Sequence, residues 1–267
     1  MSTIGLIAGG GRFPLLFADS ARRAGHEVVV AAFVNQTLPE LERQVQAITW
    51  VKLGEFGKVA AALKRGGAES VVMLGGVAKA RFFRDAWLDV AGLKLLAGVA
   101  VRSDDNLLRA VARWLEAQGL PVVDPTPFLR DRLAPEGVLG GRSPTDGEWA
   151  DARYGLELAR GIGKLDLGQT VIVKDRVGVA VEALEGTDAC IRRGGELARS
   201  GAVVVKAVKP HQDRRFDLPA VGPDTIDVMR GVKASVLAVE ADATLVMDRD
   251  EMVRRADDAR IAVVGIK

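Results

Sequence analysis

From the N-terminus, short apolar runs alternate with segments of helical period, the pattern of a parallel sheet joined by crossover helices. Thr3–Ala8 predicts a strand. Pro14 opens a helix to about Ala24, at a position where its missing N–H would be orphaned anyway. Val28–Phe33 is a second strand, Phe56–Arg65 a helix closed by Gly66 and Gly67, and Ser70–Leu74 a third strand running into Gly75-Gly76. Leu107–Gln118 reads as a helix capped by Ser103 and closed by Gly119, followed by a short strand at Pro121–Val123.

The pattern then changes. Pro125, Pro127, Pro135 and Pro144 punctuate the stretch from Asp124 to Gly147, which reads as a linker or a wrapped connection, and a bridging helix follows from about Gly147 to Arg160. Beyond it, Thr170–Lys174 and Gly178–Ala183 flank Asp175-Arg176-Val177 as a β-hairpin, so antiparallel pairing enters. A helix over Asp188–Arg199, a strand at Val203–Lys206 and a helix after Pro223 come next. Strands at Ala234–Glu240, Thr244–Val246 and Ala262–Val264 complete the set. Asp248-Arg-Asp-Glu251 resembles a capping box opening a helix that ends near Ala259. The pattern predicts an α/β chain: a Rossmann-like parallel-sheet N-terminal domain over 1–130, a linker and bridging helix over 131–163, and a mixed α/β C-terminal domain over 164–267.

Composition narrows the class. The 267 residues are 48% apolar and 27% charged, ordinary for a globular chain with room for two cores. A net charge of +2, with 5% aromatic residues, argues against nucleic acid as partner. The single cysteine, Cys190, excludes an intrachain disulfide and a thiolate zinc cluster. The start lacks a basic region before its glycines, and the apolar runs are too short for a membrane span, so a cytoplasmic protein is expected.

Candidate chemistry gathers on loops. Gly9-Gly10-Gly11-Arg12 sits where a strand turns into a helix, and is either a tight turn or a cradle of backbone N–H groups for a phosphate. The dinucleotide fingerprint fails there, because Pro14 stands where a third glycine belongs and the second strand ends toward Asn35 with no carboxylate for a ribose. A nicotinamide-dependent oxidoreductase is therefore disfavoured. Gly75-Gly76 repeats the design, with Lys79 either solvated or able to reach a phosphate. Strand ends of this kind face one crevice in an open parallel sheet. Asp104 and Asp105 suit a helix first turn and point about 100° apart, which makes joint metal binding awkward.

Glu182 and Glu185 bracket a strand end, and Gly186-Thr187-Asp188 enters a helix, either as its cap or as a phosphate or metal-phosphate site. The segment Lys206 to Pro219 concentrates Lys206, Lys209, Asp213, Arg215 and Asp217 between prolines that limit helix. If extended, it places Arg215 and Asp217 on one face and Phe216 on the other. A carboxylate among cations suits pyrophosphate hydrolysis, with the cations offsetting phosphate charge and the carboxylate orienting water or holding Mg²⁺. A non-catalytic nucleotide-sugar or lipid-binding protein would use the same loops. His26 and His211 are too few for a histidine metal site. Phe82, Phe83 and Trp87 are core residues or the lining of an acyl-chain groove.

Ile7-Ala-Gly-Gly-Gly11, Gly54-Glu-Phe-Gly-Lys58, Ala180-Val-Glu-Ala-Leu-Glu-Gly-Thr-Asp188, and Lys209-Pro-x-Gln212 with Asp217-Leu-Pro219 together resemble the UDP-2,3-diacylglucosamine pyrophosphatases of lipid A biosynthesis, the type unrelated to calcineurin-like phosphoesterases. The resemblance runs along nearly the whole chain. It implies a Mg²⁺-dependent hydrolase that yields UMP and 2,3-diacylglucosamine 1-phosphate, with two domains and the lipid-linked UDP-sugar between them. It also implies a homodimer, while transient contact with a membrane surface is left open by the sequence. Asp217 inherits the family's essential aspartate. Lys206, Lys209 and Arg215 are then the expected charge-stabilising residues. Gly9, Gly10, Gly11, Arg12, Gly75, Gly76, Lys79, Glu185, Thr187, Asp188 and Gln212 are the expected substrate contacts.

Overall fold

The computed structural model describes residues 2–76, 89–97, 104–210, 213–216 and 218–267. By their contacts they form two units: the residues up to Leu129 together with Asp213–Phe216, and the other described residues from Arg130 onward.

The first unit is built on a four-stranded parallel sheet. Its strands are β1 (Thr3–Ala8), β2 (Glu27–Phe33), β3 (Ala47–Val51) and β4 (Ser70–Leu74), in the order β3-β2-β1-β4. Helix α1 (Phe13–Arg23) connects β1 to β2, and α2 (Phe56–Arg65) connects β3 to β4. Pro121–Val123 adds a short parallel rung beside β4, with Val71 N donating to the Pro121 carbonyl at 2.8 Å. The apolar runs are continuous because both faces of a parallel sheet are covered: Ile7, Val29, Ala31 and Val71 meet Val59, Leu63, Val111 and Leu115 in one core.

Two elements are absent from the sequence pattern. One is β3, which alternates too weakly to stand out and is mostly half-buried at the sheet edge. The other is α3 (Val90–Ala97), whose apolar residues show no helical period. Asp89 anchors α3 to α2: its carboxylate accepts Gly57 N at 2.7 Å and Gly92 N at 2.8 Å. Helix α4 (Asp104–Ala117) begins a few residues before the predicted start. Residues Lys79, Phe82, Phe83, Trp87 and Ser103 lie outside the described residues.

The second unit has three layers. Its sheet comprises β5 (Gly137–Val138), β6 (Thr170–Lys174), β7 (Val177–Val181), β8 (Val203–Lys206), β10 (Val236–Glu240) and β12 (Ala262–Ile266), in the order β5-β12-β10-β8-β6-β7. The β6–β7 hairpin is antiparallel, as the turn sequence predicts, and β8, β10 and β12 run parallel, giving a mixed sheet. Strand alternation divides two cores. Val171, Val173, Val203 and Val205 face α5 (Asp146–Lys164), whereas Ile172, Val204 and Leu237 face α6 (Thr187–Ala198), α7 (Pro223–Gly231) and α8 (Arg249–Asp258). The helix expected as a bridge, α5, is thus a layer of this unit. A small two-stranded ladder joins β9 (Ala220–Val221) to β11 (Leu245–Val246).

The capping box is also not where the sequence suggests. Asp248 takes a left-handed conformation and makes no capping bond, whereas Thr145 and Glu148 cap α5 reciprocally. A backbone at φ 43° turns the Asp248 side chain away from the helix N–H groups.

The glycine loops carry the tightest backbone approach in the first unit. A Cβ on Gly75 would lie 2.7 Å from the Gly10 carbonyl oxygen, and its φ is +94°, while a Cβ on Gly76 would meet nothing within 4 Å. Gly75→Ala should therefore cost about 1–3 kcal/mol in urea denaturation and Gly76→Ala no more than about 0.5 kcal/mol. Equal losses would contradict this packing.

Candidate active site

In the first unit, β1 lies between β2 and β4, so the chain reverses direction across the sheet at the carboxyl ends of β1 and β4. Such a switch point opens a crevice. Both glycine loops sit there and are zipped together. Gly9 N donates to Leu74 O at 2.8 Å, Gly10 N to Gly76 O at 2.8 Å, and Gly76 N to Gly10 O at 3.0 Å. A Cβ on Gly9 would lie 2.6 Å from the Gly75 carbonyl, so mutual approach requires glycine at Gly9 and Gly75. The N–H groups of Gly9, Gly10 and Gly76 are thus spent on backbone carbonyls. An anion here would meet the start of α1, where Gly11 has φ +86° and exposed Arg12 provides no side-chain cap.

In the second unit, the start of β6 and the ends of β7 and β8 share one end of the sheet, since Thr170 pairs with Lys206 and Val171 with Val181. Three polar side chains are buried there: Thr170, Glu182 and Lys206, the latter two at 7% exposure. Gly186, at φ 82°, turns the chain into α6 so that the first helical residue, Thr187, reaches the same spot. The Thr187 hydroxyl donates to Glu182 Oε1 at 2.9 Å. Lys206 Nζ donates to Thr187 Oγ at 3.3 Å and to the Ala220 carbonyl at 3.0 Å. Glu182 Oε2 accepts Gln169 N at 3.3 Å. A buried ammonium and a buried carboxylate are thus joined through one hydroxyl. Cys190 is on the buried face of α6, and burial pushes its thiol up to about 12, which leaves it inert.

The other predicted residues are held elsewhere. Glu185 pairs with Arg193 at 2.6 Å, which keeps its carboxyl below the ordinary value, and Asp188 is exposed in the first turn of α6. Lys209 pairs with Asp166 at 2.9 Å. Glu240 fixes the backbone before Lys209, accepting Val208 N at 2.8 Å while pairing with Arg160 at 2.7 Å.

Residues 213–216 form a turn, so the face-sharing that an extended segment would give does not apply to them, and Phe216 N donates to the Asp213 carbonyl at 3.0 Å. Asp213 imposes the turn through two bonds from Arg215, at 2.9 and 2.8 Å. Arg215 also pairs with Glu116 at 3.0 Å and lies over the Phe216 ring, 4.9 Å from its centre. Gln212 and Asp217 lie outside the described residues. Among the described residues no three His, Cys, Asp or Glu side chains form a metal cage.

The sequence pointed to Lys206, Thr187 and Glu182 but not to Thr170, which meets Thr187, or to Gln169, whose N–H meets Glu182. Which strands become neighbours decides that, and no local signal announces it.

The architecture defines a two-unit α/β protein whose polar groups gather at the ends of sheet strands. The LpxI N-terminal domain model matches residues 3–132, and the LpxI C-terminal domain model matches residues 135–264. The UDP-2,3-diacylglucosamine pyrophosphatase LpxI of Caulobacter vibrioides is 36% identical over 279 aligned residues, which cover 100% of this chain and 98% of that protein. The chain belongs to the LpxI family. Two solved structures align with it only loosely. N5-carboxyaminoimidazole ribonucleotide synthetase from Thermotoga maritima is 12% identical with a TM-score of 0.28, over 67% of this chain and 40% of that one. Phosphoribosylglycinamide synthetase from Anaerococcus prevotii is 9% identical with a TM-score of 0.29, over 69% and 39%. Likeness at that level carries no argument.

The turn at Asp213 has a pH signature. The Arg215 side chain, as first cause, holds the Asp213 carboxyl below its ordinary value of 3.8. A lowered folded value contributes stability that is complete above the unfolded value and lost as pH falls through the folded one. Asp213→Asn should cost about 1 kcal/mol near neutrality, and the gap to wild type should close below pH 3.8. A gap independent of pH would contradict the pairing.

Proposed function

We propose that this protein hydrolyses the pyrophosphate bond of UDP-2,3-diacylglucosamine, giving UMP and 2,3-diacylglucosamine 1-phosphate for lipid A biosynthesis. The observation that carries the reading is 36% identity, end to end, with a pyrophosphatase of that substrate. Water adds across the P–O–P bridge, so one phosphate gains the water oxygen and the other leaves with the bridging oxygen. Both products are phosphate monoesters.

The chemistry asks for positive charge around the diphosphate in a place sheltered from water. Lys206 suits that demand best among the cations: its ammonium is held at the strand ends beside the start of α6, whose N–H groups favour an anion. Lys209 in the second unit and Arg215 in the first are further cations for this role, each anchored by a carboxylate. Gly11 and Arg12, at the start of α1, take a phosphate of the nucleotide, and Glu185, Asp188 and Gln212 are further candidates for substrate contact. Lys79 serves the same anion from the second glycine loop.

Asp217 is the catalytic carboxylate of this reading, as base or as metal ligand. Mg²⁺ commonly sits on one or two carboxylates plus substrate phosphate oxygens. The ion would be held by Asp217 and the diphosphate, and when bound it offsets the phosphate charge. The protein works as a homodimer in the cytoplasm, meeting its lipid substrate at the membrane surface. No helix among the described residues is long and apolar enough to cross a membrane.

Asp217→Ala should abolish UMP release while the protein stays folded and binds substrate. Excess chelator should stop the wild-type reaction, and added Mg²⁺ should restore it. Near-normal turnover by the variant sinks the assignment of Asp217, and turnover in chelator sinks the metal. Lys206→Met should lower kcat by about 10²–10³, read as UMP formed at saturating substrate.

A further inference from the structure

We propose that Glu182 is a positioning residue for this hydrolysis, acting through the Thr187 hydroxyl to aim the Lys206 ammonium at the diphosphate. The inference rests on the part given to Lys206 above and assigns the buried carboxylate that the reaction does not otherwise use.

Its basis is the proton count at one oxygen. A threonine hydroxyl has a single proton and two lone pairs, and an ionised carboxylate only accepts. Glu182 Oε1 lies 2.9 Å from Thr187 Oγ and takes that proton. The oxygen must then accept from its other neighbours, Lys206 Nζ at 3.3 Å and Thr170 Oγ at 3.4 Å. Glu182 thereby decides that Thr187 accepts from the lysine. Lys206 also donates to the Ala220 carbonyl at 3.0 Å, so the hydroxyl and this carbonyl together orient its ammonium.

Glu182 cannot swing away, because Gln169 N holds its other oxygen at 3.3 Å and the side chain is buried. The participants come from the start of β6, the end of β7, the start of α6, the end of β8 and β9, so the geometry is set by the fold of the unit.

A structural duty alone, satisfying buried N–H and O–H groups, would show in stability and not in turnover. Glutamine at position 182 cannot replace the carboxylate: with its oxygen on Thr187, its amide N–H₂ confronts the Gln169 N–H, and the reverse orientation turns that group on Thr187. Valine at 187 keeps the shape of threonine and removes the bridge.

The test measures kcat and KM for UMP release from UDP-2,3-diacylglucosamine with Mg²⁺. The proteins are wild type, Glu182→Gln, Thr187→Val, the double variant, Thr187→Ser and Lys206→Met, each checked for folding by circular dichroism. Each of the first two substitutions should lower kcat about 10- to 100-fold, with KM within about threefold of wild type. The double variant should be no slower than the slower single one, because both cut the same path. Thr187→Ser, which retains the hydroxyl, should recover most of the rate. A folded Glu182→Gln with wild-type kcat overturns the proposal, and so does a double variant whose loss is the product of the single losses. Should Glu182→Gln not fold, Thr187→Val alone decides, and a normal kcat there overturns the relay. Failure of the parent reading is visible separately: wild type then releases no UMP, or Lys206→Met retains full rate, and the proposal falls with it.

Discussion

A lysine at the end of a buried strand is the constraint on which the second unit depends. Val203-Val-Val-Lys206 is apolar up to its last residue, and that residue is 7% exposed. An ammonium taken out of water costs several kcal/mol unless it is paired and hydrogen-bonded. The unit meets that demand with a backbone carbonyl from β9, a hydroxyl from α6 and, one step beyond, a buried carboxylate. Each of these needs its element to start or stop at a particular residue. The positive φ of Gly186, the start of α6 at Thr187 and the pairing of Thr170 with Lys206 all serve the same few ångströms.

The first unit solves a different problem with different means. Its switch point brings two backbone loops close enough that side chains do not fit between them, and the loops satisfy each other's N–H and carbonyl groups. Gly9 and Gly75 are required by that approach, whereas Gly11 and Gly76 have open space around them. What remains for an anion is the end of α1, where the dipole and backbone donors act without any side-chain cap.

Much of the fold was legible in the sequence, because the strands Thr3–Ala8, Ser70–Leu74, Thr170–Lys174 and Val203–Lys206 and the helix Phe56–Arg65 have unambiguous periods bounded by glycine or proline. β3 was hidden because an edge strand with half-buried residues has no clean alternation. α3 was hidden because an evenly apolar helix has no period to detect. The conformation over 213–216 was left open by the sequence because an aspartate two residues before an arginine can close a ring of hydrogen bonds that propensity does not foresee. At the candidate site, the residue types were visible and their partnerships were not. Thr187 and Lys206 stand out as a helix entry and a charged strand end, whereas Glu182 gains its meaning only from the register that sets β6 between β7 and β8.

The account turns on one reaction, and phosphorus NMR of the wild-type protein with UDP-2,3-diacylglucosamine and Mg²⁺ follows it directly. The two diphosphate resonances should fade together while two monophosphate resonances, UMP and 2,3-diacylglucosamine 1-phosphate, grow in equal amounts. Persistence of the diphosphate signals in the presence of folded, substrate-bound protein would contradict it.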